Sequence, residues 1–369
     1  MPGKSSAASE RAGTRIAVLG VGLIGGSIGL AARRGGAEVA GFDPDARVLD
    51  AAHERGAIDR LAASVGEAVD NAGAVFACAP VGALPELIDQ ALAGAPETAV
   101  ITDVGSTKRA IAAHVTDERF VGGHPIAGSE TSGVEHARGD LFQGAAWYLT
   151  PGQRSSGVLY ERLHGLLVSF GARPVALDAD SHDRLLATVS HLPHVLANVL
   201  VSQAARTVAR EDEPLPRVGP SFRDATRVAG ANSGIWTDIY IQNAEAIADE
   251  VDATVEHLRN TAHALRAGDA DAIRAWNDRA RDDRRRLLEA DIAGGPVHEL
   301  RVSVDNRPGV VAELAVALGR GGVNIVDMRL APAPDNLTGA ITFWVAGDES
   351  AKRAAQLIEG LGFPVMEQG

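Results

Sequence analysis

The chain has 369 residues, and its 48 acidic and 35 basic residues give a formal net charge of -13. This length allows two or three domains, and the lack of a dense Lys and Arg run argues against binding to nucleic acid or an anionic membrane. A single cysteine, Cys78, excludes an intrachain disulfide framework. Residues 1–13 predict a disordered tail without a secretory signal, and no uninterrupted apolar run approaches the about 18 residues of a membrane span, so we expect a cytoplasmic protein.

The first motif is the stretch GVGLIGGS, which begins at Gly20 after the apolar run RIAVL and leads into a segment suited to a helix. This order is typical of a βα turn that binds a dinucleotide. We expect Gly20 to allow a tight turn, Gly22 to let the backbone approach a pyrophosphate, and Gly25 to let the helix pack on the strand. The pyrophosphate would then lie at the positive end of the helix, beside Leu23 and Ile24.

A second apolar run, AEVAGF, leads directly to Asp43. An acidic side chain at this distance from the glycines can accept hydrogen bonds from the adenosine ribose hydroxyls, so Asp43 favours NAD over NADP. The alternative is that Asp43 only caps the turn beside Pro44. The next apolar run, AVFACAP, ends at Ala79 and Pro80, which complete the predicted cofactor-binding set.

Apolar runs alternate with helical stretches over residues 14–178. This alternation predicts an α/β fold with a doubly wound parallel sheet, so the segment is interpreted as an NAD-binding Rossmann domain. Residues 179–293 lack strand signals and carry helix-period apolar residues, which predicts an all-helical domain for substrate binding. A loop rich in Pro and Gly, residues 211–222, interrupts these helices, and GGP at 294–296 ends them.

The last unit, residues 297–369, has the order strand, turn, helix, strand, strand, helix, which predicts a small α+β domain. This order and the stretches DNRPG and GVNI resemble an ACT regulatory domain. The resemblance implies an amino-acid effector site at the turn after the first strand and the following helix start, at Asn306, Gly309 and Asn324. A module that serves only dimerisation is the alternative.

Two polar motifs, DVGSTK from Asp103 and GGHPIAGSE from Gly122, stand at the ends of predicted strands. Strand ends on one edge of such a sheet face the cofactor crevice, so His124 would meet the nicotinamide. An imidazole with an ordinary pKa of about 6.5 suits proton removal, and a base beside a hydride acceptor describes an alcohol-oxidising dehydrogenase. A structural histidine before proline is the alternative. Lys108 has two equal interpretations, an anion contact or a solvent-facing side chain.

The stretch SHLPHVLANVL places His191 and His194 on neighbouring positions of one helix face, with Ser190 one turn before His194. Metal ligation is one interpretation, but no Asp, Glu or Cys with ligand spacing is apparent nearby, so we favour polar contacts to a substrate over a metal. A purely structural helix is the remaining alternative.

Further along, SFRDATR places Arg223 and Arg227 on one predicted helical turn. Guanidinium groups bind carboxylates in bidentate fashion, so this pair predicts a substrate that carries a carboxylate. Nearly all basic residues of this chain are arginines, and a chance pair is therefore the alternative.

The ordered motifs GVGLIGGS, ACAP, DVGSTK, GGHPIAGSE, SHLPH and RDATR, followed by Trp236, resemble the prephenate dehydrogenase family, including its arogenate-using members, over residues 14–290. The resemblance implies NAD-dependent oxidative decarboxylation of a cyclohexadienol in tyrosine biosynthesis. It implies that His124 takes the proton of the ring hydroxyl, Ser106 orients His124, and Arg227 binds substrate carboxylate. It places further substrate contacts at Ser129, Ser190, His194, Arg223 and Trp236, and the tryptophan of the family reaches toward a neighbouring subunit. We therefore expect a homodimer formed through the helical domain.

The sequence does not separate prephenate from arogenate, and we expect prephenate as the substrate. The pathway that the resemblance implies gives L-tyrosine as the expected effector. The stretch at 219–221 reads Gly, Pro, Ser where a glycine-rich stretch and a lysine are common in the family, which could alter substrate choice. A β-hydroxyacid dehydrogenase is disfavoured, because that family generally carries a lysine in its helical domain and this chain has none between Lys108 and Lys352. A noncatalytic sensor of NAD and an amino acid is the alternative from another class.

Overall fold

The computed structural model describes residues 15–128, 131–208, 218–290 and 297–305 and, beyond these, residues 310, 313–314, 317–318, 321, 323, 325–332 and 338–367. The chain divides into two compact units, Met1–Thr254 and Val255–Gly369. The glycines and proline at 294–296 lie outside the described residues, and the domain boundaries drawn from the sequence stay a prediction.

The first unit is built on a five-stranded parallel sheet with the strand order β3-β2-β1-β4-β5. Its strands are β1 (Arg15–Leu19), β2 (Glu38–Phe42), β3 (Arg60–Leu61), β4 (Ala74–Ala77) and β5 (Val100–Asp103). The helices between and after them are α1 (Leu23–Arg34), α2 (Ala46–Glu54), α3 (Val65–Val69), α4 (Leu84–Gly94) and α5 (Arg109–His114). The strand order reverses between β1 and β4, and ligands of doubly wound sheets bind at this point.

Both faces of the sheet are buried, which explains why its strands read as continuous apolar runs. In β1, Ile16 and Val18 pack in the cluster on one face, whereas Ala17 and Leu19 pack in the cluster on the other. The predicted doubly wound parallel sheet is confirmed for β1–β5.

The later strand signals form a second sheet of β6 (Val121–Pro125), β7 (Ala146–Pro151) and β8 (Arg173–Ala176). An isolated parallel bridge between Ile101 and Phe120 places its first strand beside β5. β6 and β7 are antiparallel, which differs from the uniform parallel alternation expected for this stretch. The described part of the connection contains a 3-10 turn at Val134–His136 and no α-helix, the element that usually makes a parallel crossover. α6 (Gly157–Ser169) makes that crossover before β8, which is parallel to β7.

Between residues 179 and 290 the described elements are helices joined by turns, as predicted. The helices are α7 (Ala179–Leu186), a π-helical turn (Ala187–His191), α8 (Leu192–Val208), α9 (Pro220–Ala225), α10 (Ser233–Gln242), α11 (Ala244–Ala267) and α12 (Ala270–Ala290). The helical run Ala179–Arg206 is long and apolar enough to cross a membrane by length and composition alone. It also carries three buried polar side chains bonded within the fold, His182, Asp183 and His191.

The second unit contains an antiparallel sheet with the order β10-β11-β9-β12. Its elements are β9 (Val297–Asp305), β10 (Ile325–Pro332), β11 (Thr338–Ala346), α13 (Asp348–Gly360) and β12 (Val365–Glu367). Alternate residues of β9, Leu300, Val302 and Val304, enter a core that Ile358 of α13 also joins. The predicted strands and the predicted last helix of this α+β domain are confirmed, with the addition of β12, a short final strand that the sequence interpretation did not include. The helix predicted after β9 falls largely outside the described residues.

Candidate active site

The glycine loop after β1 has the geometry that a dinucleotide requires. Gly20 has a φ of +95°, and a Cβ there would collide with the carbonyl oxygen of Cys78. A Cβ on Gly25 would collide with the carbonyl oxygen of Gly20, so the helix packs tightly on the turn. A Cβ on Gly22 would meet nothing within 4 Å, so this backbone is open to a ligand at the start of α1. Leu23 and Ile24 form the first turn of that helix.

Asp43 follows β2 and binds the glycine loop directly. Its Oδ2 accepts a hydrogen bond from the Val21 N–H at 3.0 Å, and its Oδ1 accepts one from the Asp45 N–H at 3.0 Å. The side chain therefore caps the turn beside Pro44 and also joins the ends of β1 and β2. Each carboxylate oxygen can accept a second bond, so this arrangement leaves acceptor capacity for ribose hydroxyls.

Ala79 and Pro80 lie across the switch point from the glycine loop, immediately after β4. Ala79 is partly buried and Pro80 is exposed. The 3-10 turn that follows them approaches the helical region, because a Cβ on Gly82 would lie 3.0 Å from the carboxylate of Asp238 on α10. The predicted cofactor residues thus lie together at the carboxyl ends of β1, β2 and β4, and the 3-10 turn after Pro80 lies against α10.

His124 belongs to β6 and is bonded to a second histidine. Its Nδ1 lies 2.9 Å from Nε2 of His182, and Nδ1 of His182 lies 2.8 Å from Oδ1 of Asp183. His182 and Asp183 lie on α7 with fully buried side chains. Burial lowers the pKa of His124 well below its usual value, and the positive charge of Lys108 acts in the same direction. His124 is therefore neutral at physiological pH and able to accept a proton.

Asp103 and Lys108 anchor the loop beside this histidine pair. Lys108 forms a buried ion pair with Asp103, which also accepts hydrogen bonds from the N–H groups of Gly105 at 2.8 Å and Gly123 at 3.0 Å. The solvent-facing alternative for Lys108 is wrong, because its side chain is only 1% exposed. Ser106 lies between Asp103 and Lys108 in the sequence, on the loop that leads to α5, and it is partly buried.

His191 and His194 do not share one environment, although both contact Trp236. His191 is 1% exposed, and its Nδ1 lies 3.2 Å from the amide nitrogen of Asn243. His194 stacks on Trp236 with ring centroids 3.5 Å apart, and the ring of His191 meets the same indole edge-on at 5.9 Å. Ser190 is partly buried in the π-helical turn before them. The described residues contain no group of three or more His, Cys, Asp or Glu able to hold a metal.

The two predicted carboxylate-binding arginines are both exposed but do not lie on one helical turn. α9 ends at Ala225, so Arg223 is helical and Arg227 lies in the turn that follows. The prediction of a shared turn is wrong because Thr226 already leaves the helical conformation, with φ at -113°. Arg227 lies near His194: burial lowers the pKa of His194, and the positive charge of Arg227 lowers it further.

Four predicted positions fall outside the described residues. They are the substrate contact Ser129 and the effector positions Asn306, Gly309 and Asn324.

The sequence interpretation missed His182, Asp183 and Asn243. Asn243 precedes α11 and donates a hydrogen bond from its side chain to the backbone oxygen of Asp183 at 2.7 Å. A signal was present for the first two, since a histidine and an aspartate are adjacent in a segment that is otherwise apolar on one face. His182 is 58 residues from His124 in the sequence, and only the fold brings the two side chains into contact.

A Rossmann sheet with a glycine loop at its switch point, followed at β6 by a partly buried, neutral histidine bonded to a second histidine, indicates a nucleotide-binding enzyme of the dehydrogenase class. Family models match three consecutive segments: the prephenate dehydrogenase nucleotide-binding domain over residues 28–176, the prephenate dehydrogenase dimerization domain over 178–278, and the ACT domain over 298–363. The chain belongs to the prephenate dehydrogenase family. This confirms the resemblance drawn from the motifs and the assignment as an enzyme.

Individual relatives agree with the family models. The chain is 33% identical to a prephenate dehydrogenase of Bacillus subtilis (strain 168) over 355 residues, which cover 93% of this chain and 95% of the relative. A crystal structure of prephenate dehydrogenase from A. aeolicus, in complex with hydroxyphenyl propionate and NAD+, is 26% identical with a TM-score of 0.68, covering 74% of this chain and 98% of that one. Synechocystis arogenate dehydrogenase is 25% identical with a TM-score of 0.66, covering 74% of this chain and all of that one, 100%.

Proposed function

We propose that this enzyme catalyses the NAD-dependent oxidative decarboxylation of prephenate to 4-hydroxyphenylpyruvate. The observation that carries the proposal is His124, a neutral base on β6, the strand beside β5 of the nucleotide-binding sheet, bonded at 2.9 Å to a buried histidine. Proton removal next to a hydride acceptor is the chemistry that this reaction needs.

The crevice suits NAD. The residues that would hold it are Gly20, Gly22, Gly25 and the start of α1 at the pyrophosphate, Asp43 at the adenosine ribose, and Ala79 and Pro80 across the switch point. Bound NAD+ supplies the hydride acceptor. The carboxylate of Asp43 would repel a ribose phosphate, which supports NAD over NADP. The A. aeolicus relative is named as a complex with NAD+.

The reaction requires little covalent work from the protein. His124 takes the proton from the ring hydroxyl. The hydride leaves, with its electron pair, from the ring carbon that carries this hydroxyl. The bond to the ring carboxylate then breaks and carbon dioxide departs. Its electron pair makes the ring aromatic, and the ring oxygen takes back the proton from His124. Because the product ring is aromatic, orientation of the substrate and recognition of its carboxylates are the remaining tasks.

Arg227 is the proposed carboxylate ligand. Its charge acts on His194, and His194 stacks on Trp236. A guanidinium beside an aromatic stack offers both an anion site and a flat surface for a ring. Two further proposed substrate contacts belong to the helical region: Ser190, one turn before His194, and Arg223 on α9. Ser106 and Ser129 complete the proposed set on the nucleotide domain.

Arogenate is the second candidate substrate, because one of the neighbours is named as an arogenate dehydrogenase. The two substrates differ in a keto or an amino group on the side chain. The deciding experiment measures kcat/KM with each substrate and with NAD and NADP. The proposal predicts the highest value for prephenate with NAD, and a higher value for arogenate would replace prephenate as the substrate.

The ACT domain supports feedback control by L-tyrosine as a further part of the proposal. Calorimetry with L-tyrosine and the full-length enzyme, combined with inhibition assays, tests it. Asn306→Ala and Asn324→Ala should weaken inhibition while uninhibited turnover stays intact. Absence of tyrosine binding would leave this domain with a role in assembly.

A homodimer through the helical domain follows from the match to the dimerization domain. Exposed apolar side chains on α8, Val199, Leu200 and Val201, are available to such an interface. A cytoplasmic enzyme is consistent with these assignments. Light scattering of the purified chain should give the mass of two copies, and the mass of one copy would remove this part of the proposal.

A further inference from the structure

We infer that His182 and Asp183 are positioning residues that fix His124 in the tautomer protonated on Nδ1, which leaves Nε2 as the base. The inference rests on the proposed function for the identity of the proton that Nε2 accepts. The tautomer itself follows from the hydrogen bonds of the protein alone, traced from Asp183 outward.

Asp183 is the fixed end of the chain of hydrogen bonds. Its Oδ1 accepts a bond from the Lys108 N–H at 2.7 Å and lies 2.8 Å from Nδ1 of His182, and its Oδ2 accepts a bond from the Arg109 N–H at 2.9 Å. Burial opposes the charged form, but these three donors outweigh it, and the pKa of Asp183 is lowered. An ionised carboxylate has no proton to donate, so Nδ1 of His182 carries one.

The second link follows from the first. We take His182 to be the neutral ring of this pair, and with its proton on Nδ1 only a lone pair is left on Nε2, so that atom accepts a hydrogen bond. The atom facing it at 2.9 Å is Nδ1 of His124, which therefore carries the proton of that ring. Burial also holds the pKa of His124 well below its usual value, so the ring is neutral and its Nε2 has no proton.

The groups around the two rings reinforce this arrangement. Tyr148 on β7 lies opposite His124 in the strand register and meets the ring of His182 edge-on at 5.8 Å. The charged or titratable groups around the pair are Lys108, Tyr148, Asp183 and His191. Lys108 is already paired with Asp103, which leaves Asp183 as the carboxylate bonded to the histidine pair.

The tautomer matters because a neutral imidazole in water favours the proton on Nε2. In that form, the nitrogen that must accept the substrate proton would already be occupied. With the observed hydrogen bonds, the O–H bond of the substrate breaks and a new N–H bond forms at Nε2 of His124. The proton on Nδ1 of His124 stays on that atom and keeps its hydrogen bond to His182. The imidazolium that results is stabilised by Asp183 through His182.

NMR of ¹⁵N-histidine-labelled enzyme without substrate tests the inference, because ¹⁵N shifts distinguish the two neutral tautomers. We expect His124 and His182 both to be protonated on Nδ1 near neutral pH. In His182→Leu we expect His124 to move to the Nε2-protonated form, with kcat about 10³–10⁴-fold lower, the loss typical of a base in the wrong tautomer. A wild-type His124 protonated on Nε2 would overturn the inference, even if the enzyme is active on prephenate.

Two further variants separate tautomer control from general damage to the fold. In His182→Gln, the amide can accept from His124 and donate to Asp183, so we expect the Nδ1-protonated tautomer and a kcat within about tenfold of wild type. A loss in this variant as large as that of His182→Leu would contradict the inference. His191→Gln is the matched control, because His191 is equally buried and bonds to Asn243 instead. His124 should keep its Nδ1 proton there, whatever the change in melting temperature.

Discussion

Lys108 and Asp103 form an ion pair whose side chains are 1% and 0% exposed, at the junction of β5, β6 and the loop that carries Ser106. Because Asp103 also binds the N–H of Gly123, the pair ties this loop to the residue before His124. Removal of one member would leave a buried carboxylate without its counter-charge, which is far more costly than loss of a surface pair.

Lys108→Met should therefore lower the free energy of unfolding by about 3–5 kcal/mol. Urea unfolding followed by circular dichroism measures it. Lys352→Met is the control, because Lys352 pairs with Glu349 at the surface, and we expect no measurable change there. Equal stability of the two variants would show that the buried pair is not required for the fold.

His191 predicts an acid-sensitive contribution to stability. Burial lowers its pKa from the usual 6.5 to about 4, against the pull of Asp183. Between these pH values the unfolded chain binds a proton that the folded chain does not, so stability falls as the pH falls, by about 3 kcal/mol for this group. Below about pH 4 its contribution stays constant.

The test for His191 compares unfolding free energies at pH 7 and at pH 4.5 in wild type and His191→Gln. We expect the variant to lose less stability between the two pH values, because glutamine does not titrate. The same pH dependence in both proteins would assign the acid sensitivity to other groups.

Asp43→Asn should reduce the preference for NAD over NADP by about tenfold or more, because the repulsion of a ribose phosphate is removed. Asparagine keeps an oxygen that can accept the hydrogen bond from Val21, so the glycine loop should retain its shape. The measurement is kcat/KM for both cofactors. Asp45→Asn is the control, since asparagine also caps α2, and it should leave the ratio unchanged. An unaltered ratio in Asp43→Asn would restrict Asp43 to its role in the turn.

Arg227→Ala should raise KM for the substrate by an amount equivalent to about 1.5–3 kcal/mol, the usual contribution of a hydrogen bond to a charged group. Arg227→Lys should recover only part of it, because an ammonium cannot bind a carboxylate in bidentate fashion. Arg206→Ala, at an exposed arginine of α8, is the control and should leave KM unchanged. A fixed KM in Arg227→Ala would place carboxylate recognition elsewhere.

The glycine motif and the apolar strands made the nucleotide domain predictable, because close backbone contacts demand glycine and a sheet buried on both faces demands apolar runs. The antiparallel direction of β7 relative to β6 was harder to predict, because the direction of a strand depends on the connection that precedes it and not on the strand's own residues. The separation of Arg223 from Arg227 depends on the point where α9 ends, and helix ends are weakly encoded.

The catalytic base was predictable from its position at a strand end, whereas its partners were not. His182 and Asp183 are distant in sequence from His124, and only packing of α7 on β6 and β7 brings them together. The environment of Lys108 was ambiguous from the sequence, because a lone lysine at a helix start is normally exposed. The neighbouring residues in the sequence do not reveal that Asp103 neutralises its charge.

The central claim is that His124 is the base of an oxidative decarboxylation of prephenate. Steady-state kinetics that follow formation of reduced nicotinamide with prephenate and NAD, in wild type and in His124→Asn, test it most directly. We expect turnover by the wild type, and a kcat lower by about 10²–10⁴ in the variant with NAD affinity nearly unchanged. Near wild-type turnover in His124→Asn, or no turnover of prephenate by the wild type, would contradict it.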